Sequence, residues 1–196
     1  MYLGFIIAGI SLTIFALLGV YDGFYLHLVK YKLYDHKESK FEHLIHTVRT
    51  LLFPLILYFL FLGQNEVSLY LGLVFVVLDI IALGVDAYSE EESRAFMGGL
   101  PRGEYIIHLF VNGFHFATIA VFLVLKIRVT NSSWHIINDF EHIASYELFI
   151  WLVKNLVPGA ILIALLHVAL IFKKPKKIWN RLLNRFQKPL LKKPTL

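Results

Sequence analysis

No cysteine occurs in the chain. Disulfides, thiolate metal sites, iron–sulfur clusters and cysteine nucleophiles are therefore excluded. Charge is scarce as well: only 17% of the 196 residues are Asp, Glu, Lys or Arg, against about 25% in ordinary globular domains. There is no phosphate-binding glycine loop, no GxSxG serine motif and no HExxH motif, which removes the common nucleotide, serine-hydrolase and zinc-protease signatures. Internal repeats and low-complexity tracts are absent too.

What is abundant is apolar. Hydrophobic residues make up 58% of the chain, and mean hydropathy is +0.66. Five stretches reach the roughly 20 apolar residues that a membrane-spanning helix needs: Tyr2–Leu28, His43–Leu62, Val67–Tyr88, Tyr105–Leu125 and Leu148–Phe172. Apolar side chains lie all around each, unlike a one-sided soluble helix, and in lipid the backbone must satisfy its own hydrogen bonds. The expected fold is an all-α, polytopic integral membrane bundle of five transmembrane helices over residues 1–172. The first segment lacks a basic leader and is too long for a signal-peptide core, so it is read as a span.

Lys and Arg set the orientation. Fifteen of the 19 lie in the first loop (30–40), the third loop (Arg94, Arg102) and the tail beyond Phe172; only Lys126 and Arg128 lie on the opposite side, and Arg49 and Lys154 fall within spans. The N-terminus is thus expected outside and the C-terminus in the cytoplasm. The tail, 173–196, carries Ile178, Trp179, Leu182, Leu183 and Phe186 among its basic residues, a spacing for an amphipathic helix lying on an anionic leaflet rather than on nucleic acid. Asn131–Ser132–Ser133 in the fourth loop is a glycosylation sequon. The expected location is the plasma (inner) membrane of a bacterium.

Ionisable residues within spans are costly and therefore functional candidates. Here they share one depth. Asp79, Asp86 and Glu90 are spaced seven and four, on one face of the third helix, and Glu104, His108, Asn112 and His115 share a face of the fourth. The second helix opens with Glu42, His43 and His46, followed by Arg49; the first carries Asp22, with Tyr25 and His27 beyond it; the fifth carries His167. All lie toward the loops assigned to the cytoplasm. Of nine histidines, only His135 and His142 belong to the outer loop.

Histidines and carboxylates on facing bundle helices form the ligand sets of iron, manganese and zinc sites. The expected metal ligands are Asp22, His43, His46, Asp86, Glu90, His108 and His115, with Tyr25, Arg49 and Asn112 orienting them from outside. Asp79 and Glu90 are the candidate catalytic bases. His108 and His115 stand roughly 10 Å apart along their helix at 1.5 Å per residue, so a single ion is not expected to use both. Plainer readings stand beside these. Glu42 and His43 suit a helix start, Asp79 suits an ion pair with Arg49, His27 and His36 suit loop or interface positions, and His167 suits a helix–helix contact. The histidine boxes of membrane desaturases and hydroxylases, which include paired histidines, are missing; the nearest approach is Glu42–His43–Leu44–Ile45–His46.

The expected function is a membrane-embedded metal-dependent enzyme acting on a lipid-like or other apolar substrate. Two metal ions are expected, iron before zinc, hence oxidation before hydrolysis. The alternatives are a b-type haem electron-transfer protein using His46 with His108 or His115, and a proton-coupled carrier or accessory subunit. Membrane lipid is the expected surrounding partner, with a second membrane subunit or a homo-oligomer possible and no nucleic acid.

Overall fold

The computed structural model describes residues 1–130, 133–140 and 142–187. Asn131 and Ser132 of the sequon, and the tail lysines 188, 192 and 193, lie outside the described residues. Among those described, five helices are long and apolar enough to cross a membrane. α1 (Tyr2–Gly19) runs without a break into a π-helical continuation, Val20–Lys30. α2 (Lys40–Ile56) contains Pro54, whose missing N–H removes one helical hydrogen bond, and widens into a π-helical end, Leu57–Leu62. α3 (Glu66–Ser93) is capped by the Asn65 side chain, which accepts from the Ser68 amide at 2.8 Å. A short 3₁₀ turn, Ala95–Met97, ends at Gly98 and Gly99, whose φ angles of 83° and 111° suit glycine. α4 spans Arg102–Lys126 and α5 spans Ala144–Ala169.

The loop before α5 departs from a purely helical reading. β1 (Ile127–Thr130) and β2 (Ser133–Ile136) pair antiparallel, with Ile127 opposite Ile136 and Val129 opposite Trp134. Each strand has only four residues, the shortest run over which alternation signals a strand.

α1 packs on α4 and α5, and α2 packs on α3 and α5. Side chains are sorted by depth. The half of the bundle nearer the hairpin holds a dry core of Phe5, Leu12, Leu60, Phe61, Phe122 and Phe149. Phe61 meets Phe122 edge-on at 4.9 Å, and Phe5 meets Phe140 at 5.1 Å, the geometry preferred by aromatic quadrupoles. Gly72 lets α3 approach the end of α2: a Cβ there would come within 2.8 Å of the Leu60 backbone. Lys126 is buried rather than free in the outer loop, and it donates to the Gly63 carbonyl at 3.4 Å.

At the opposite end lies α6 (Lys173–Gln187). Trp179 donates to the Leu28 carbonyl at 3.3 Å, and Tyr34 donates to Asn180 at 2.6 Å. Lys176 donates to the Tyr34 carbonyl, and burial lowers its pKa. Trp179 and Leu183 face the protein, whereas Ile178, Leu182 and Phe186 are exposed.

Candidate metal centre

The ionisable residues of four helices meet in the half of the bundle nearer α6. Asp22 and His27 come from the π-helical continuation of α1, Glu42 and His46 from α2, Asp86 and Glu90 from α3, and Glu104 and His108 from α4. Two donor groups result. One ligand atom each from Asp22, His27, Glu104 and His108 lie within 4.8 Å of one another, and so do those of His27, Glu42 and His46. His27 belongs to both.

The distances show how the side chains are held. His108 Nδ1 faces Glu90 Oε1 at 2.6 Å, leaving Nε2 toward Asp22 Oδ1 at 3.1 Å. His27 Nε2 lies 3.4 Å from both Asp22 Oδ1 and Glu104 Oε1. His46 Nε2 lies 3.3 Å from Asp86 Oδ2 and 3.6 Å from Glu42 Oε1. The His27 and His46 rings meet edge-on, with centroids 4.1 Å apart.

Arg94 straps the two groups together. It is fully buried, and its guanidinium donates to Glu42 Oε2 on one side and Glu104 Oε1 on the other. Ser93 also donates to Glu42 Oε2. Burial works against the Arg94 charge, but Glu42 and Glu104 outweigh it and raise its pKa. Each glutamate is thus fixed through one oxygen. Among the described residues the other oxygens, Glu42 Oε1 and Glu104 Oε2, have no hydrogen-bond partner, and neither do His27 Nδ1, His46 Nε2 and Asp86 Oδ1. Folded proteins leave few buried polar atoms unsatisfied; these five belong to the cluster, and His43 and His167 hold four more away from it.

Charge points the same way. Asp22, Glu42, Asp79, Asp86, Glu90 and Glu104 are buried or nearly so, and the guanidiniums among them are Arg49 and Arg94. Six carboxylates against two guanidiniums leave a formal excess of four negative charges. Burying that excess uncompensated is prohibitive. Two divalent cations would cancel it, as would protons on the interleaved imidazoles.

A second polar station sits deeper. Arg49 Nε donates to Asp79 Oδ1 at 3.1 Å and Nη2 donates to Asn112 Oδ1 at 2.7 Å, so the Arg49–Asp79 pair expected from the sequence is present. His115 Nε2 lies 3.2 Å from Asp79 Oδ2. His43 stands apart from both groups: its ring stacks on His167 at 5.4 Å and 15°.

Of the expected ligands, Asp22, His46 and His108 fall in the donor groups. Asp86 and Glu90 abut them through His46 and His108, while His43 and His115 face other partners. Tyr25 lies outside the site, 45% exposed and stacked on Tyr21, so it orients no ligand. His27, expected in a loop or interface, is fully buried at the centre. Its spacing of five from Asp22 is wrong for an α-helical face, but i→i+5 bonding in a π-helix brings such residues together. Glu42 and Glu104, not among the expected ligands, are further members, and Glu104 shares a helical face with His108. Arg94, counted with the loop cations, turns inward.

A cavity of about 220 Å³ adjoins the cluster. Its inner wall includes Asp22, His46, Asp79 and His115, and the rest is mostly apolar, with Phe15, Phe53 and Val111 among its lining. Glu90 is not among its lining residues.

No protein-family model, curated protein or solved structure matches the chain. The functional reading therefore rests on the site itself.

Proposed function

We propose that the chain is an integral membrane metal-dependent enzyme holding two metal ions in the half of the bundle nearer α6. The observation that carries this reading is the pair of overlapping donor groups sharing His27, with unpartnered lone pairs on Glu42, His46 and Glu104. On the Lys and Arg bias, α6 and the loops at 31–39 and 94–101 would lie in the cytoplasm, and the site in the cytoplasmic half of the membrane.

Asp22, His27, Glu104 and His108 would hold one ion, and Glu42 and His46, with Asp86 beside them, would hold the other. A nitrogen- and oxygen-rich set without thiolate suits iron or zinc; iron would supply oxidation by O₂ and zinc hydrolysis through an activated water, with oxidation preferred. Glu90 holds His108 in one tautomer, with Nε2 directed at Asp22. Arg94 fixes the carboxylates of α2 and α4. Of the two candidate bases, Asp79 lines the cavity and Glu90 does not, so Asp79 is assigned as proton acceptor. Glu90 is assigned as a positioning residue.

The haem alternative is less well supported. His46, His108 and His115 each face a carboxylate at 2.6–3.3 Å, where an axial ligand needs a free nitrogen toward an apolar slot. A transmembrane carrier is disfavoured by the aromatic core that closes the other half of the bundle.

The test is metal content of purified variants. His46→Ala should lose the ion bound beside Glu42, whereas Asp22→Asn should lose the one bound near His108. Full stoichiometry in both folded variants would refute the ligand assignment.

A further inference from the structure

The cavity beside the cluster has a direction. Of its lining residues, Val20, Asn155 and Gly159 are exposed, while those from α2, α3 and α4 are buried or half-buried. The mouth therefore lies between the α1 continuation and α5. Small side chains keep it open: Ala16, Gly19 and Gly23 on one side, Gly159 and Ala160 on the other. Added Cβ atoms at Gly23 and Gly159 would meet nothing within 4 Å. Gly159 sits near the middle of α5, Ala144–Ala169, so in a bilayer the mouth faces hydrocarbon and not the headgroup layer.

The inner end is different. His46 and Asp79 are both more than nine-tenths buried and both line the cavity; His46 Nε2 faces Asp86 Oδ2 at 3.3 Å and Asp79 Oδ2 faces His115 Nε2 at 3.2 Å. Arg49, the one Lys or Arg in the lining, is already engaged by Asp79 and Asn112. An anionic headgroup would find no free guanidinium or ammonium here, whereas a hydroxyl could donate to a remaining lone pair of the Asp79 carboxylate.

We propose that this cavity binds an uncharged single-chain amphiphile, drawn sideways from the bilayer between α1 and α5. Its hydroxyl end lies at Asp79, beside His46, and its chain extends out past Gly159. This gives the enzyme reading its substrate class and rests on that reading for turnover, though not for binding. The depth of the mouth selects a membrane-dissolved ligand, and the polar end wall selects a neutral head.

The experiment uses the full chain in nanodiscs and hexadecanol carrying a mid-chain diazirine. After irradiation, peptide mapping should place the adduct on the cavity-facing parts of the α1 continuation and α5. Labelling should saturate and be displaced by unlabelled hexadecanol, but not by hexadecane or palmitate. Gly159→Trp, which fills the mouth, should weaken labelling at least about tenfold, the order expected when a pocket is blocked. Gly113→Trp, on an exposed and open part of α4, should leave it unchanged. The competition data decide the matter even where the Gly159 variant does not fold. Non-saturable labelling spread over all lipid-facing helices would overturn the proposal, as would equal competition by palmitate. Metal content of the same samples separates the two readings: saturable cavity labelling in a chain that binds no metal keeps this inference and sinks the enzyme, and a metal-loaded chain with non-saturable labelling does the reverse.

Discussion

Replacing Arg94 is the sharpest perturbation the structure offers. Its guanidinium is wholly buried and bonds the carboxylates of Glu42 and Glu104, which are themselves 0% and 3% exposed. Arg94→Met keeps much of the side chain's volume but strands two buried carboxylates. Solvent screening at such depth is slight, and breaking a buried ion pair by removing one partner costs about 3–5 kcal/mol. Two carboxylates share this arginine, so the upper end of that range is expected in the presence of chelator. The triple variant Arg94→Met, Glu42→Gln, Glu104→Gln carries no stranded charge and should regain most of the loss, because the penalty belongs to the unpaired ions. Equilibrium unfolding in mixed micelles, followed by far-ultraviolet circular dichroism, reads both quantities. An Arg94→Met variant within about 0.5 kcal/mol of the parent, the range of an ordinary surface change, would refute the view that Arg94 clamps the cluster.

Other expectations follow from particular contacts. Glu90→Gln loses the carboxylate that orients His108, so metal affinity measured by competition with a chelator should fall about 10–100-fold while the fold persists. Gly72→Leu forces a side chain against the Leu60 backbone, where even a Cβ would stand at 2.8 Å; unfolding should show a loss of about 1–3 kcal/mol or more. Phe61→Ala opens a hole beside Phe122 and Phe149 and should cost about 3–5 kcal/mol without changing metal content. Because the chain has no cysteine, Lys174→Cys and His135→Cys report orientation directly: a membrane-impermeant maleimide applied to intact cells should label the second and not the first.

Much of this was legible in the sequence, for identifiable reasons. Apolar runs of about 20 residues have few folded fates, and all five expected spans coincide with long helices, their ends moving by a few residues. The depth of the polar residues was visible too, because position along a helix is counted from its ends. Facing was not. Whether His43 or His46 turns inward depends on how α2 is rotated against α1 and α5, and period-3.6 counting allows either. His43 went to His167, and His46 to the cluster. The larger miss was His27, which only π-helical winding brings beside Asp22; no residue pattern in Val20–Lys30 announces that winding. Arg94 was misplaced because a loop arginine ordinarily solvates. Here the turn through Ala95–Met97 and the two positive-φ glycines bring the chain back toward α4, leaving the guanidinium between two glutamates.

Metal is proposed to balance the surplus of buried carboxylates. The most direct measurement is elemental analysis of the full chain, purified in detergent without chelators and normalised to protein by amino-acid analysis. About two ions per chain are expected, as in other bundle sites built from carboxylates and imidazoles on facing helices, with iron ahead of zinc. Less than about one-tenth of an ion per chain, unchanged after incubation with ferrous iron or zinc, would contradict it and leave protonated imidazoles to balance the carboxylates.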